Sequence, residues 1–503
     1  MSTLKKELKE IRIDANKHYV GFFPNGDKIK QIHVAGGALR VIYGKTLNTK
    51  KIKSLAFVAG KKHKDAPVPN VFPIDQLIKD TECFDEKPDD DDLLSMRKML
   101  QKLLNTDGGM FPDDSQLTYS AGSKYFIKGH SQLEDAGEFI GKVINKYCPE
   151  LAQYIRDVLS NADDPISVLF CPVEDEEETV ISAGQGLNDL KAFVNQNAAM
   201  KWYLSSIKES GECLKGNLEK MPNTLTQLRT FIFFCTFQLV RYFSLLEAFN
   251  CDGKILPFLL DFSDNPASGI ATASTASYAR VYQSVSRFYS WAFAQELKDY
   301  PKSELMTMDT PVYDSQKRKR EDNSASTNKK KLQAERAEYD SQWELAKENA
   351  KSLDSNAAKL EFGKTLYNMA SMQASSYPVA YLRVLGAQGG VVYPTQRDSK
   401  RKRFKLSQDT FEMVIRSCVG SNETITYDQL RERMWTRFNI VINGIPEGAF
   451  NDPELADLIL HDNELGSDVL EDNHQRCVKA LEDMDFADLM ADGILQVHLG
   501  GTN

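Results

Sequence analysis

No two of the eight cysteines stand as a CxxC pair, and no two of the seven histidines stand as HxH or HxxxH. A local zinc or iron site is therefore not implied, and neither is a disulfide framework. Cys235 and Cys251, set among apolar residues, read as buried thiols of a reducing compartment. Phosphate-binding loops fail on inspection. Gly44, Lys45 and Thr46 have Leu39 where a P-loop needs glycine, and Gly363, Lys364 and Thr365 have Ala358 there. No GxSxG elbow marks a serine nucleophile. Long hydrophobic runs are also missing: the apolar stretch around Phe231 to Val240 holds Cys, Thr and Gln and is bounded by Arg229 and Arg241. It is too short to span a bilayer, so no membrane is expected. The first ten residues are charged and hold no apolar signal core, and the expected location is cytoplasmic, or nuclear in a eukaryote.

What is present is enough apolar material to fold. Hydrophobic residues are 42% and aromatics 10% of 503, which suits about two to four packed domains. The net charge of -9 argues against a whole surface given to nucleic acid but allows a local basic patch. The expected class is α+β, mostly α. A small β-rich N-terminal domain covers 1–84, with strands at His18 to Phe23, Lys28 to Val34, Leu39 to Tyr43 and Leu55 to Val58, and turns at Pro24 to Asp27 and Gly36-Gly37. The acidic stretch Asp85 to Asp92 reads as a solvated connection.

A helical central domain covers 92–300 and contains a short strand at Val168 to Cys171. Its centre is Leu225 to Phe249, where apolar residues recur at helical spacing around the whole cylinder, and Tyr278 to Leu297 repeats the pattern. Residues 301–331 read as a disordered basic linker, and Leu332 to Met372 as one long helix within a 332–396 connector. The small-residue stretch Ala267 to Ser277 suits a close backbone approach at a protein interface.

The C-terminal segment 397–503 combines opposite charges. Residues 397–405 hold six basic residues against one acid, whereas Gly444 to Asn503 holds fourteen Asp and Glu against Arg476 and Lys479. A helix over Gln408 to Cys418, a short strand at Thr424 to Tyr427, a helix over Asp428 to Phe438 capped by Asp428, and a closing strand at Ile494 to Leu499 follow a winged-helix order. Lys400, Arg401, Lys402, Arg403 and Lys405, with Arg431, Arg433 and Arg437 on the second helix, are the candidate contacts to a phosphate backbone. Against this stands a plainer reading, in which the arginines pair with the acidic tail and the domain docks onto a partner.

Lys317, Arg318, Lys319 and Arg320, followed eight residues later by Lys329 to Lys331, resemble a bipartite nuclear import signal and also suit a polycation that meets nucleic acid. The best placed single acid for a metal-dependent nuclease is Asp261, at the end of the apolar run Ile255 to Leu260. Long, helix-rich, with a terminal winged helix and no catalytic signature, the chain resembles subunits of bacterial antiviral defence systems. That resemblance implies a non-catalytic subunit of a multiprotein assembly, without a cofactor, that binds nucleic acid or a nucleic-acid-bound partner. The alternatives are a metal-dependent nuclease or hydrolase and a pure protein adaptor.

Overall fold

Helices replace the expected N-terminal strands. The computed structural model describes residues 4, 6–24, 29–44, 95, 135–161, 187–251, 254–311, 326–373, 378–396, 401–443, 467–491 and 493–499. Helix α1 (Leu8–Ala15) runs on through a π-helical turn (Asn16–Val20) that stops at Gly21, whose φ of 91° is left-handed. Helix α2 (Gln31–Tyr43) contains the Gly36-Gly37 pair read as a turn. It lies against α3 (Asp135–Tyr147), where a Cβ on Gly137 would sit 2.3 Å from the Val34 carbonyl oxygen. Glycine and alanine let the two backbones meet, and α2 is buried on nearly every side. A helix enclosed all round shows no polar face, so its sequence mimics a buried strand. The rest of the expected sheet, Leu55 to Val58 included, lies outside the described residues, as do 317–320 and Val168 to Cys171.

Helix α4 (Pro149–Ser160) starts with proline, whose missing N–H would have no partner there. A 3-10 turn (Leu187–Asp189) and the short α5 (Lys191–Val194) lead to α6 (Ala198–Leu218), α7 (Thr224–Ser244) and α8 (Leu246–Asn250). Asn197 and Asn223 cap α6 and α7 by accepting from Met200 N and Thr226 N. The central helix α7 is enclosed as its pattern predicts, with Phe231, Phe234, Phe237 and Tyr242 fully buried. Strand β1 (Phe258–Leu259) precedes α9 (Gly269–Glu296), which starts well before the expected Tyr278. The small residues at its start do permit a close approach, but to the chain's own backbone. Ser277 Oγ donates to Pro257 O at 2.7 Å, and Ser274 Oγ accepts from Phe404 N at 2.9 Å.

The expected linker 301–331 is ordered where it is described. Helix α10 (Lys302–Thr307) buries Leu305, and Met308 follows it into the core, its carbonyl accepting from Trp343 Nε1 at 3.2 Å. Residues 326–331 already belong to α11 (Ser326–Ala350). The single long helix expected over Leu332 to Met372 is broken before α12 (Ser355–Gln373), where Asp354 Oδ1 accepts from the Asn356 and Ala357 amides. An acceptor that caps a new helix ends the old one. Trp343 meets Phe362 at 4.9 Å and Tyr339 Oη donates to Met369 O at 2.9 Å, so α11 and α12 form an antiparallel pair. At Gly363, α12 crosses α9 so closely that a Cβ would lie 2.5 Å from Ser290 O.

Helix α13 (Pro378–Gln388) leads to the antiparallel pair β2 (Val392–Tyr393) and β3 (Arg403–Phe404). Then follow α14 (Gln408–Arg416), β4 (Ile425–Thr426), α15 (Tyr427–Phe438), β5 (Ile440–Val441), α16 (Ser467–Asp483), β6 (Ala487–Leu489) and β7 (Leu495–Val497). The cap of α15 is Thr426, boxed with Gln429, rather than Asp428. Strands β4, β7 and β6 form an antiparallel sheet in that order. β5 leaves this sheet and pairs in parallel with β1, Phe258 opposite Ile440. Buried residues from Leu8 to Val497 make one contiguous cluster among the described residues. The class is mostly α with few, short strands.

Candidate nucleic-acid interface

The candidate cations of 400–405 fall on β3 and its approach, and the fold turns most of them inward. Alternation along β3 points Arg403 at the end of β1. There its Nε donates to Asp261 Oδ2 at 2.5 Å, with the two side chains 3% and 0% exposed. Asp261 Oδ1 accepts from Ser263 N at 2.8 Å and from Ser263 Oγ at 2.6 Å. The carboxylate thus has three donors and no water-facing lone pair to offer a metal. Lys402 is 4% exposed, its ammonium held by the carbonyls of Pro394 and Gln396. Lys405 Nζ donates to Ser263 O at 2.7 Å and to Asp264 Oδ1 at 3.1 Å, and this contact holds the Asp264 carboxyl below its ordinary range. Arg401 is exposed, and Lys400 lies outside the described residues.

The arginines of α15 are also engaged, and among the described residues their partners lie outside the acidic tail. Arg433 makes a two-pronged pair with Glu423, at 2.6 Å on each prong, and donates to Cys418 O at 2.8 Å. These hydrogen bonds lower the Glu423 carboxyl to about 2. Arg437 Nη1 donates to Ser417 O at 2.7 Å, tying α15 to the end of α14. Arg431 Nη1 meets Asp428 Oδ1 at 2.9 Å on an exposed helix face. The guanidinium fork suits carbonyls at a helix end as well as it suits phosphate, and here it caps α14.

Two polar groups that sequence reading passed over fasten this unit to the helical body. Asn473 of α16 is fully buried; its Nδ2 donates to Leu260 O at 3.0 Å and Ile442 O at 2.8 Å, and its Oδ1 accepts from Phe262 N at 2.9 Å. Arg241 of α7 is fully buried, and among the described residues no carboxylate pairs with it. Its Nε donates to Asn439 Oδ1 at 2.8 Å, its Nη1 to Ser206 Oγ at 2.8 Å, and Trp202 lies under it at 4.8 Å. Burial pushes this guanidinium down to about 9. A polar residue inside an otherwise apolar helical stripe was the available signal for both.

A cavity of about 440 Å³ lies between the π-helical turn and the end of α9. Glu296 in it meets His18 Nδ1 at 2.9 Å and Lys6 Nζ at 3.6 Å, while Lys191 Nζ donates to Tyr19 Oη at 2.8 Å. Its charges neutralise one another and select no ligand charge. Burial holds the thiols of Cys148, Cys418 and Cys477 up at about 12, which suits packing groups rather than nucleophiles. Among the described residues, no three His, Cys, Asp or Glu side chains are grouped to hold a metal ion, and no helix is long and apolar enough to cross a membrane. Comparisons with protein-family models, curated proteins and solved structures find no match for this chain.

Proposed function

We propose that this protein is a non-catalytic subunit of a larger assembly, cytoplasmic or in a nucleus, whose C-terminal unit docks onto a protein partner. Leaving aside β5, which pairs elsewhere, the described elements run α14, β4, α15, α16, β6, β7 with β7 between its two neighbours, and this order supports a winged-helix reading. In that arrangement α16 holds the position of the groove-reading helix, and β6 with β7 forms the wing. The observation that carries the reading is the charge on α16. Its exposed residues include Asp468, Glu471, Asp472, Glu482 and Asp483 against Arg476 and Lys479, and Arg476 is held by Asp472 at 2.9 Å. Such a surface repels a phosphate backbone. Lys317, Arg318, Lys319, Arg320 and Lys400 stay the sequence-based candidates for direct contact with nucleic acid, beside the exposed Arg401. The resemblance to subunits of bacterial antiviral systems suggests an antiviral assembly as its setting.

Anisotropy titration with labelled duplex DNA and single-stranded RNA at several salt concentrations tests the proposal. It expects at most weak binding, whose salt dependence fades when residues 317–320 are neutralised. Tight binding that survives this change but disappears in Arg431→Ala, with the melting curve unchanged, would restore a nucleic-acid-reading module. Magnesium- or manganese-dependent phosphodiester cleavage would restore the nuclease.

A further inference from the structure

The wing raises an apolar tip from an acidic base. Leu489, Met490 and Ile494 are 67%, 43% and 47% exposed, and Met490 N–H donates to Ile494 O at 3.0 Å where the hairpin closes. Close by in the chain, Glu482, Asp483 and Asp485 are exposed and make no ion pair among the described residues. Asp488 is also exposed, at 69% of its side chain, and meets His498 Nε2 at 2.9 Å.

Register determines which backbone groups of β6 face outward. His498 N–H donates to Phe486 O at 3.0 Å, and Met490 N–H to Ile494 O, so Phe486, Asp488 and Met490 turn their peptide groups toward β7. Ala487 and Leu489 turn theirs away, on the outer edge of the β4–β7–β6 sheet. Among the described residues no strand pairs with that edge.

We propose that the outer edge of β6 takes an extended segment of a partner protein, in which lysine or arginine alternates with apolar residues, as a fourth strand. This rests on the docking reading above and names the partner's chemistry. Successive side chains of an added strand point to opposite faces. One set lies beside Leu489, and the other lies beside Asp488 and, two residues on along the same face, Met490 with its partner Ile494. The unpaired Glu482, Asp483 and Asp485 favour a cationic occupant and oppose a phosphate-bearing one. With only two residues offering outward backbone groups, the edge is too short to hold a strand by main-chain bonds alone. Covering the apolar tip supplies the rest, and the complex is of the weak, exchanging kind.

The test uses the full chain and two fluorescein-labelled hexapeptides, one alternating valine with lysine and the other valine with glutamate. Binding of the lysine peptide and none of the glutamate peptide is expected. Leu489→Pro removes one outward N–H without touching the β6–β7 ladder, and should weaken binding about tenfold with an unchanged melting curve. Asp485→Lys with Asp488→Lys should weaken it about fivefold and reduce its salt dependence. Failure of the lysine peptide to bind, or equal binding to the Leu489→Pro chain, overturns the strand-addition claim and leaves the docking reading standing. Displacement of the bound peptide by duplex DNA at moderate salt overturns both.

Discussion

Strand β3 with α15 and helix α16 with its wing carry their charges in opposite ways. Three basic residues of the first pair turn toward the protein, Arg431 being the exception. Arg403 closes on Asp261, Arg433 on Glu423, and Arg437 on the carbonyls that end α14. On the second pair, Glu482, Asp483 and Asp485 stay in solvent without an ion-pair partner among the described residues. Charge density in a sequence therefore says little about where a protein's field emerges. A guanidinium on a long stem can satisfy buried acceptors several residues away, whereas a short carboxylate on an exposed helix face cannot turn back toward the core.

The strongest way to break this contrast is to remove an interior cation. Arg403→Ala leaves Asp261 charged and buried, and should lower the unfolding free energy by about 3–5 kcal/mol in a denaturant titration. Pairing Arg403→Met with Asp261→Leu should recover most of that loss, because neither buried charge then remains. A loss below about 1 kcal/mol in the single variant would mean that the pair reaches water. Arg241→Ala should cost about 3 kcal/mol by orphaning Asn439 Oδ1 and Gln238 Oε1, which accepts from Arg241 Nη1 at 2.9 Å, and Arg241→Lys should restore less than half, since an ammonium cannot span both acceptors.

A smaller effect comes from the partly exposed Glu423. Its carboxyl falls from 4.5 to about 2 on folding. The pair with Arg433 therefore contributes its full stability above about pH 4.5 and loses it as pH drops through about 2. Melting temperatures measured across that window should decline less steeply in Glu423→Gln than in the unaltered chain. The smallest effect is expected at the acidic base of the wing. Glu482→Lys and Asp483→Lys should each change stability by less than about 0.5 kcal/mol by thermal melting, and a larger change would place these carboxylates inside the packing network.

Much of the helical body was legible in the sequence, because α7 and the second half of α9 carry apolar residues at a spacing only a helix satisfies. Of the C-terminal elements, α15 was legible from its Leu430, Met434 and Phe438 stripe, but its start was not, since Thr426 and not Asp428 caps it. The N-terminal region was misread because α2 is enclosed on nearly every side and its glycines serve close packing against α3 instead of a turn. The expected basic linker failed at Leu305 and Met308, two apolar residues among polar ones that are enough to anchor a short helix. At the candidate interface, the residues were identified but their direction was not. Sequence spacing put Arg433 and Arg437 on one side of α15, but only the tertiary fold brings Glu423 and the end of α14 to meet them.

The parallel pair of β1 with β5 joins Phe258 to Ile440, so one edge of the central region is completed by chain made much later. During synthesis the earlier strand must wait, with its amides unpaired, until residues 440 and 441 have left the ribosome. A product cut short before residue 440 would carry that open edge permanently and should collect in inclusion bodies, even though every helix ahead of it could form.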